Sequence, residues 1–412
     1  MEVVLAAHGD GLLATDLRSG ALVASYEEGG QVQPNAFGSV DAGGQHIYAV
    51  QASKALWQTW DWGSKKVTYR ASLPEKITAM AFSQDAAWCF AGAASGTIYV
   101  WLASTGSLLR YWPAHFREVT QLLVSSDGGY LVTAAADTNV HVYNLADVLS
   151  EPSGHPKPFH SWAGHSLTVT SLCFLGGSSG LHHVVASGSL DRSVRLWDVG
   201  TGRPIQSRSL NAQVHSLCAG AAASELVVAG AHGELRSLEV KDFSNEGGVY
   251  LGHSSTVLSC AMSLDGSRIA SCSEVEGVRV WETRTRQCLA QVHANRDLKV
   301  SAVKIVRHLP HLPGLPPFQP FQRLLATGDE MPSVLRCFSG RQLALKQRMA
   351  PYTRVEDILE HVHWASGALA TKASAASTVS ASADLGEQLA AARESEARWA
   401  KVATELYKLV AE

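Results

Sequence analysis

The stretch VVASGSLDRSVRLWDV, Val184–Val199, decides how this chain folds. Val184, Val185 and Ala186 open one strand. Asp191 occupies a tight turn, and Val194, Leu196 and Trp197 carry a second strand that Asp198 closes. The second arm alternates apolar and polar residues, as a half-buried strand requires. Upstream, Gly164-His165 stands just before another alternating run, Thr168–Phe174.

A Gly-His pair, a turn Asp and a Trp-Asp end in that order make a WD repeat, one four-stranded blade of a β-propeller. The Trp position recurs along the chain. Its equivalents are Thr15, Trp60, Trp101, Tyr143, Trp197, Leu238 and Trp281, at successive separations of 45, 41, 42, 54, 41 and 43 residues. A period of about 40–45 suits a four-stranded blade. The one long interval coincides with a Pro-bearing loop, Asp147–His160, and a Gly/Ser-rich turn, Leu175–His183. A looser copy follows at Ser333–Ser339.

Six middle units read as complete, at about 32–70, 76–111, 118–146, 167–209, 213–240 and 256–291. The first unit is truncated. Glu2–Ala7, Leu12–Leu17 and Ala21–Tyr26 read as strands with none before them. An open ring would leave two strand edges exposed. Lys299–Val306, with Leu324–Thr327 and Val334–Phe338, is therefore expected to close the ring against residues 1–26. The expected fold is an all-β WD-repeat propeller over 1–345 with seven blades, one composite. Eight blades is the alternative, and a C-terminal α-helical coiled-coil tail follows.

The segment Arg307–Gln322, RHLPHLPGLPPFQPFQ, holds five of the 14 prolines, so it cannot form an interior strand. Its apolar residues, among them Leu312, Leu315, Phe318 and Phe321, either pack on the ring or form a docking arm for a partner. A short helix is expected within 346–366, with Val355, Ile358, Leu359 and Val362 on one face, then an Ala/Ser-rich linker over 367–383. Over 384–412 the period changes. Leu385, Leu389, Ala392, Trp399, Ala403, Leu406 and Val410 form a heptad seam with Glu396 as its one polar break. Such a helix, about 40 Å long, is marginal alone and needs a partner for its seam. Pairing with a second copy is the leading expectation, ahead of folding back on the propeller or binding another subunit.

Composition narrows the function. With 46% hydrophobic residues, the 412-residue chain can bury a large core. A formal net charge of -3 and 17% charged residues argue against a general electrostatic grip on nucleic acid. The N-terminus, MEVVLAAHGDGLLATDL, lacks the pattern of a signal peptide, and no run approaches the ~20 apolar residues of a membrane span. The seven cysteines (Cys89, Cys173, Cys218, Cys260, Cys272, Cys288 and Cys337) form no C-x-x-C pair. Each falls in an expected strand, as a buried free thiol would.

His165, Asp191 and Trp197, with Ser187 or Ser189, could pass for a hydrolase triad. In such blades these residue types form a structural hydrogen-bond chain instead. The pattern repeats at Ala114-His115, Asp137 and Tyr143 with the same Asp-to-aromatic offset of six, and successive repeats have no reason to duplicate a triad. The histidine spots His182-His183, His308/His311 and His361/His363 lack metal-site spacing. No phosphate-binding glycine loop is present. Neither an enzyme nor a cofactor is expected.

The arrangement as a whole resembles the WD-repeat subunit of the rixosome, an assembly acting on precursors of the large ribosomal subunit. The resemblance rests on the truncated start ending Asp16-Leu17-Arg18-Ser19-Gly20, on Ile98-Tyr99-Val100-Trp101 with Ser104-Thr105-Gly106, and on Ala114–Val119. It rests also on Ser189–Trp197, the Pro-rich Leu312–Phe321 and the C-terminal heptad helix. Leu238-Glu239 stands where that pattern has Trp-Asp. The resemblance implies a scaffold that binds a large helical-repeat subunit and a second helical-repeat subunit. It implies recruitment of an AAA-type ATPase through the complex, action on the pre-ribosomal large subunit, and pairing through the C-terminal helix. It also implies residence in the nucleus (nucleolus and nucleoplasm), with the cytoplasm as a further location, and no membrane partner. The alternative is a substrate receptor of a cullin-type ubiquitin ligase, since Val280-Trp281-Glu282-Thr283-Arg284 approximates the Trp-Asp-x-Arg box of such receptors.

Overall fold

The structure is a computed structural model. It describes residues 1–308 except 10, 28–29, 41–45, 64–65, 151–154, 176–183, 221–224, 241–242, 244–246 and 293–298. Leu312, Leu315, Phe318 and Phe321, the helix within 346–366, the linker 367–383 and the seam residues of 384–412 lie outside the described residues, as do Leu324–Thr327, Val334–Phe338 and Cys337.

Strands group into blades, each built from the ring axis outward. Blade 1 is β4 (Val32–Ser39), β5 (His46–Gln51), β6 (Leu56–Asp61) and β7 (Val67–Ser72). Blade 2 is β8 (Ile77–Phe82), β9 (Trp88–Ala93), β10 (Thr97–Leu102) and β11 (Leu108–Pro113). Blade 3 is β12 (Val119–Val124), β13 (Tyr130–Ala135), β14 (Asn139–Asn144) and β15 (His160–Ala163), with helix α1 (Leu145–Ser150) before its last strand. Blade 4 is β16 (Val169–Leu175), β17 (Val184–Ser189), β18 (Ser193–Asp198) and β19 (Pro204–Ser209). Blade 5 has three strands, β20 (Val214–Ala219), β21 (Glu225–Gly230) and β22 (Leu235–Glu239). Blade 6 is β23 (Val257–Met262), β24 (Arg268–Ser273), β25 (Gly277–Glu282) and β26 (Cys288–Val292). The quoted stretch is thus β17 and β18, joined at Leu190–Arg192.

Blade 7 is composite. Its inner strand, β27 (Val300–Arg307), pairs antiparallel with β1 (Glu2–His8), from Glu2 opposite Arg307 to His8 opposite Val300. β2 (Gly11–Asp16) and β3 (Leu22–Tyr26) continue outward. The two ends of the chain therefore share one sheet, and the N-terminal ammonium donates to the His308 carbonyl (3.0 Å). Closure against residues 1–26 by the Lys299–Val306 part of the expected segment is observed as β27; Leu324–Thr327 and Val334–Phe338 lie outside the described residues.

The core lies between blades rather than within one body. Seven buried clusters fill the seven gaps, one for each neighbouring pair of blades. Trp57, Trp60, Trp101, Trp112 and Trp281 are among the largest fully buried side chains. Each blade has two apolar faces, and only a neighbour on both sides removes them from water. That is why closure by β27 matters energetically. Inner strands are also stitched together. Thr120 Oγ1 donates to the Val169 carbonyl (2.5 Å) and Thr170 Oγ1 to that of Val214 (2.7 Å). Ser171 Oγ accepts from the Leu217 N–H (2.9 Å) and Ser216 Oγ from the Cys260 N–H (3.2 Å).

Four expectations are corrected. The unit at 118–146 does not end there: its fourth strand is β15, reached only after the insertion. That insertion does not begin as a loop but as α1. The Asn144 side chain caps it by accepting the Ala146 N–H (3.2 Å), and Leu145 and Val148 pack between blades 2 and 3. Arg110 Nη1, from blade 2, donates to the Val148 carbonyl (2.8 Å).

The unit at 213–240 supplies three strands, not four, among the described residues. Beyond β22 the described residues add one bridge, Arg236 with Val249. Finally, Cys288 is exposed, because β26 is an outer strand with one face in water.

Candidate functional site

A propeller used for binding must hold its loops still, and in this chain hydrogen-bond chains do so. In blade 4, Trp197 Nε1–H donates to Ser187 Oγ (2.8 Å), and Ser187 Oγ lies 2.8 Å from His165 Nε2. His165 Nδ1 lies 3.0 Å from Asp191 Oδ2. The carboxylate can only accept, so the ring proton is on Nδ1, and Ser187 O–H donates to Nε2. Every donor then points the same way, from β18 through β17 to the loop entering β16 and on to the turn. The structure brings His165, Asp191 and Trp197 together with Ser187. Ser189 is elsewhere, donating to the Leu167 carbonyl (3.0 Å). Ser187 is fully buried, so no substrate can reach its hydroxyl.

Charge states fit this chain. Burial, then the nearby Arg195, holds the His165 pKa below its ordinary value against the pull of Asp191, which keeps the ring neutral. Burial would raise the Asp191 carboxyl. Hydrogen bonds from the Ser193 hydroxyl, the Ser166 N–H, the His165 ring and the Ser193 N–H outweigh it, and the pKa falls to about 2. The glycine of the Gly-His pair is explained by contact: a Cβ on Gly164 would lie 2.8 Å from the edge of the Trp197 indole.

The second expected chain differs in its last link. His115 Nδ1 lies 3.1 Å from Asp137 Oδ2, and Nε2 lies 2.8 Å from Thr133 Oγ1. Tyr143 does not reach Thr133. Its hydroxyl is 3.5 Å from His141 Nδ1, and His141 stacks on His115 at 4.3 Å. Burial and the adjacent His115 push His141 down to about 4; burial would raise Asp137, but the His115 bond and charge with the Asn139 and Phe116 N–H groups together outweigh it, and Asp137 falls to about 2.

Two further chains escaped the sequence reading. In blade 6, His253 joins Glu276 (2.9 Å) and Ser271 (2.7 Å), and Trp281 Nε1–H donates to Ser271 (2.8 Å). Glu replaces Asp one position closer to the Trp, so the offset of six missed it. In blade 2, Leu73 stands at the histidine position, and Glu75, two residues on, ties the turn instead, accepting from Ser95 Oγ and the Tyr99 hydroxyl, both at 2.8 Å. A usable signal was present. The bonded hydroxyl lies ten residues before the tryptophan in blades 4 and 6. Thr133 keeps that offset from Tyr143. In blade 1 a longer turn shifts the count by one: Ile47 pairs with Trp60, so Ala49, on the same face, holds the slot, and Trp60 Nε1, buried, finds no acceptor among the described residues.

The chains pin the loops that enter the inner strands. The N–H after each histidine donates to the turn carboxylate: Phe116 to Asp137 (3.1 Å), Ser166 to Asp191 (3.0 Å) and Ser254 to Glu276 (2.9 Å). These same loops display apolar side chains. Phe116 is 94% exposed and Leu251 82%, with Leu167 and the turn residue Val275 also exposed. A rigid loop carrying a bare aromatic can bind protein with little ordering cost. Arg284 is exposed in the turn between β25 and β26, while Trp281 is committed to its chain. Of the histidine spots only His308 is described; it stacks on Trp62 at 4.2 Å. Among the described residues no His/Cys/Asp/Glu group has metal-site geometry, and no helix is long and apolar enough to cross a membrane.

Comparison with known proteins agrees with the ring. Residues 63–101, 106–144, 156–198 and 245–282 match the family model for the WD domain, G-beta repeat. The chain is 30% identical over 291 residues to WD repeat-containing protein 18 of Bos taurus, covering 67% of this chain and 66% of that protein. It therefore spans just under two thirds of that relative's length. It is 26% identical over 307 residues to the Pre-rRNA-processing protein IPI3 of Yarrowia lipolytica, covering 69% and 71%. A chain in the crystal structure of the mitotic checkpoint complex superposes with a TM-score of 0.56 at 17% identity, over 68% of this chain and 84% of that one, a likeness of fold alone.

Proposed function

We propose that this WD-repeat β-propeller protein is a non-enzymatic scaffold in ribosome biogenesis, acting in pre-rRNA processing and remodelling of large-subunit precursors. The observation that carries the reading is the alignment with a pre-rRNA-processing protein over 307 residues. The rigid ring and its pinned loops support it, since a scaffold needs faces that keep their shape under load. The Ser-His-Asp chain is closed to substrate, which removes the nearest enzymatic reading.

The finer assignments extend this proposal. The loop face bearing Phe116, Leu167 and Leu251 receives a helical-repeat subunit, and a second helical-repeat subunit joins the same assembly. The assembly recruits an AAA-type ATPase to the pre-ribosomal large subunit. Leu312, Leu315, Phe318 and Phe321 act as a docking arm. The helix over 384–412, with Leu385, Leu389, Ala392, Trp399, Ala403, Leu406 and Val410 as its seam, pairs two copies. The protein works in the nucleolus and nucleoplasm.

The test is purification of the tagged full chain at physiological salt, with mass spectrometry and a sedimentation profile. Large-subunit assembly factors, co-migration with pre-ribosomal particles and spacer-containing pre-rRNA accumulating on depletion are expected. Recovery of a ubiquitin-ligase adaptor instead, lost on Arg284→Ala, would overturn the proposal.

A further inference from the structure

The inner strands surround a central channel of about 600 Å³, open to solvent. Among the described residues that line it there is no Asp or Glu, and Lys304 is the only Lys or Arg. This is not the trend of the whole chain, whose net charge is -3. His215 also lines the channel, and burial lowers its pKa, which keeps it neutral near pH 7. Lys304 sits on β27 opposite Leu5, so it was carried to the axis by the closing strand.

Most polar groups of the wall are already used. The Asn35 amide donates to the Thr120 carbonyl (2.8 Å), and Gln121 Oε1 accepts the Leu172 N–H (2.6 Å). Thr170, Ser216 and Ser259 bond backbone groups of neighbouring blades. The ammonium is different. Nζ lies 5.4 Å from the centroid of the Phe37 ring, a cation–π contact that supplies no hydrogen-bond acceptor. Among the described residues no carboxylate pairs with it. Burial lowers its pKa to about 8, the mark of a cation held among protein atoms without a counter-charge. A lone cation in a concave, low-dielectric wall focuses its field on the space it faces.

We propose that the central channel is a binding site for a small anion, a phosphate or carboxylate group, held by the Lys304 ammonium. Its volume is that of a small-molecule site. The Phe37 face shields one side of the ammonium, and the ligand supplies the acceptor that the wall lacks. The inference stands apart from the scaffold reading, and either can fail alone.

The experiment is isothermal titration of the full-length protein, in chloride buffer, with sodium phosphate and separately with sodium citrate. Saturable binding of one anion per chain is expected. The preferred titrant assigns the source as a phosphorylated or a carboxylated small molecule. Lys304→Met should weaken binding roughly ten- to a hundredfold, the worth of charge-assisted hydrogen bonds. Its melting temperature should equal or exceed the parent's, because a buried cation without a partner is gone. Lys304→Gln is the second neutral variant, should Met not fold. No saturable heat from either anion up to about 10 mM, or equal binding in a folded neutral variant, would overturn the proposal.

Discussion

Ser187→Ala tests whether the blade-4 chain holds the propeller together. The Ser187 hydroxyl is fully buried and serves two neighbours, accepting from Trp197 Nε1–H and donating to His165 Nε2, each at 2.8 Å. Removing it strips both partners at once, and each is buried, Trp197 at 4% and His165 at 7% exposure. A buried polar group left unpaired costs about 1–3 kcal/mol, so the two together cost about 2–6 kcal/mol. The Asp191 end still has Ser193 and the Ser166 N–H, which limits the damage to that range. Against a total stability of about 5–15 kcal/mol this is a large fraction. Equilibrium urea unfolding, followed by tryptophan fluorescence, measures it. A double-mutant cycle with His165→Ala should show a coupling of about 1 kcal/mol or more, because the two residues share a bond. A loss under about 0.5 kcal/mol, or strict additivity in the cycle, would refute the reasoning.

Other expectations follow from the same geometry. Ala49→Ser puts a hydroxyl on the face where Trp60 Nε1 lacks an acceptor, so its cost should fall within about 1 kcal/mol of zero, against the usual penalty for a buried lone hydroxyl; thermal melting decides. Acid should destabilise in two stages. His141 is held at about 4, below its ordinary 6.5, so its contribution is complete above pH 6.5 and is lost as pH falls toward 4. Asp137 and Asp191, held at about 2 against 3.8, contribute fully above pH 4 and are lost toward pH 2. Urea midpoints that stay flat from pH 7 to 4 would contradict the first stage. Phe116→Asp should leave stability within about 0.5 kcal/mol, since the side chain is 94% exposed, while weakening capture of the helical-repeat partner in pull-down. Removing Asp384–Glu412 should leave a folded monomer by light scattering; a truncated protein that stays dimeric sinks the pairing model.

Much of the architecture was legible along the chain because it is written at short range. Alternation of apolar residues, Gly- and Asp-bearing turns and the recurring aromatic slot each depend on neighbours a few residues away. They located β17 and β18, the repeat period and the truncated first unit. The need to cover that unit's open edge then picked out the strand that became β27. The heptad over 384–412 is legible in the same way, as a seam in want of a partner. What failed was also local in cause. Leu145 and Val148 are too few to announce a helix, yet an Asn144 cap and a carbonyl-capping Arg110 from the next blade suffice to form one. In blade 5 the repeat period did not foresee the Arg236–Val249 bridge that follows β22 among the described residues.

The sequence by itself determined that this chain is built of WD repeats and that His165, Asp191 and Trp197 belong to one blade. Only the tertiary structure decided that Ser187 rather than Ser189 completes their chain, and that Glu276 serves in blade 6 where the motif has Asp. It also showed that seven gaps hold seven cores, and that among the described residues lining the channel Lys304 is the only Lys or Arg and none is a carboxylate. The reason is distance along the chain. Repeat identity is set by residues close in sequence. Hydrogen-bond partners, burial and the charge around Lys304 are set by strands that meet only once residues 1–26 and 300–307 have closed the ring.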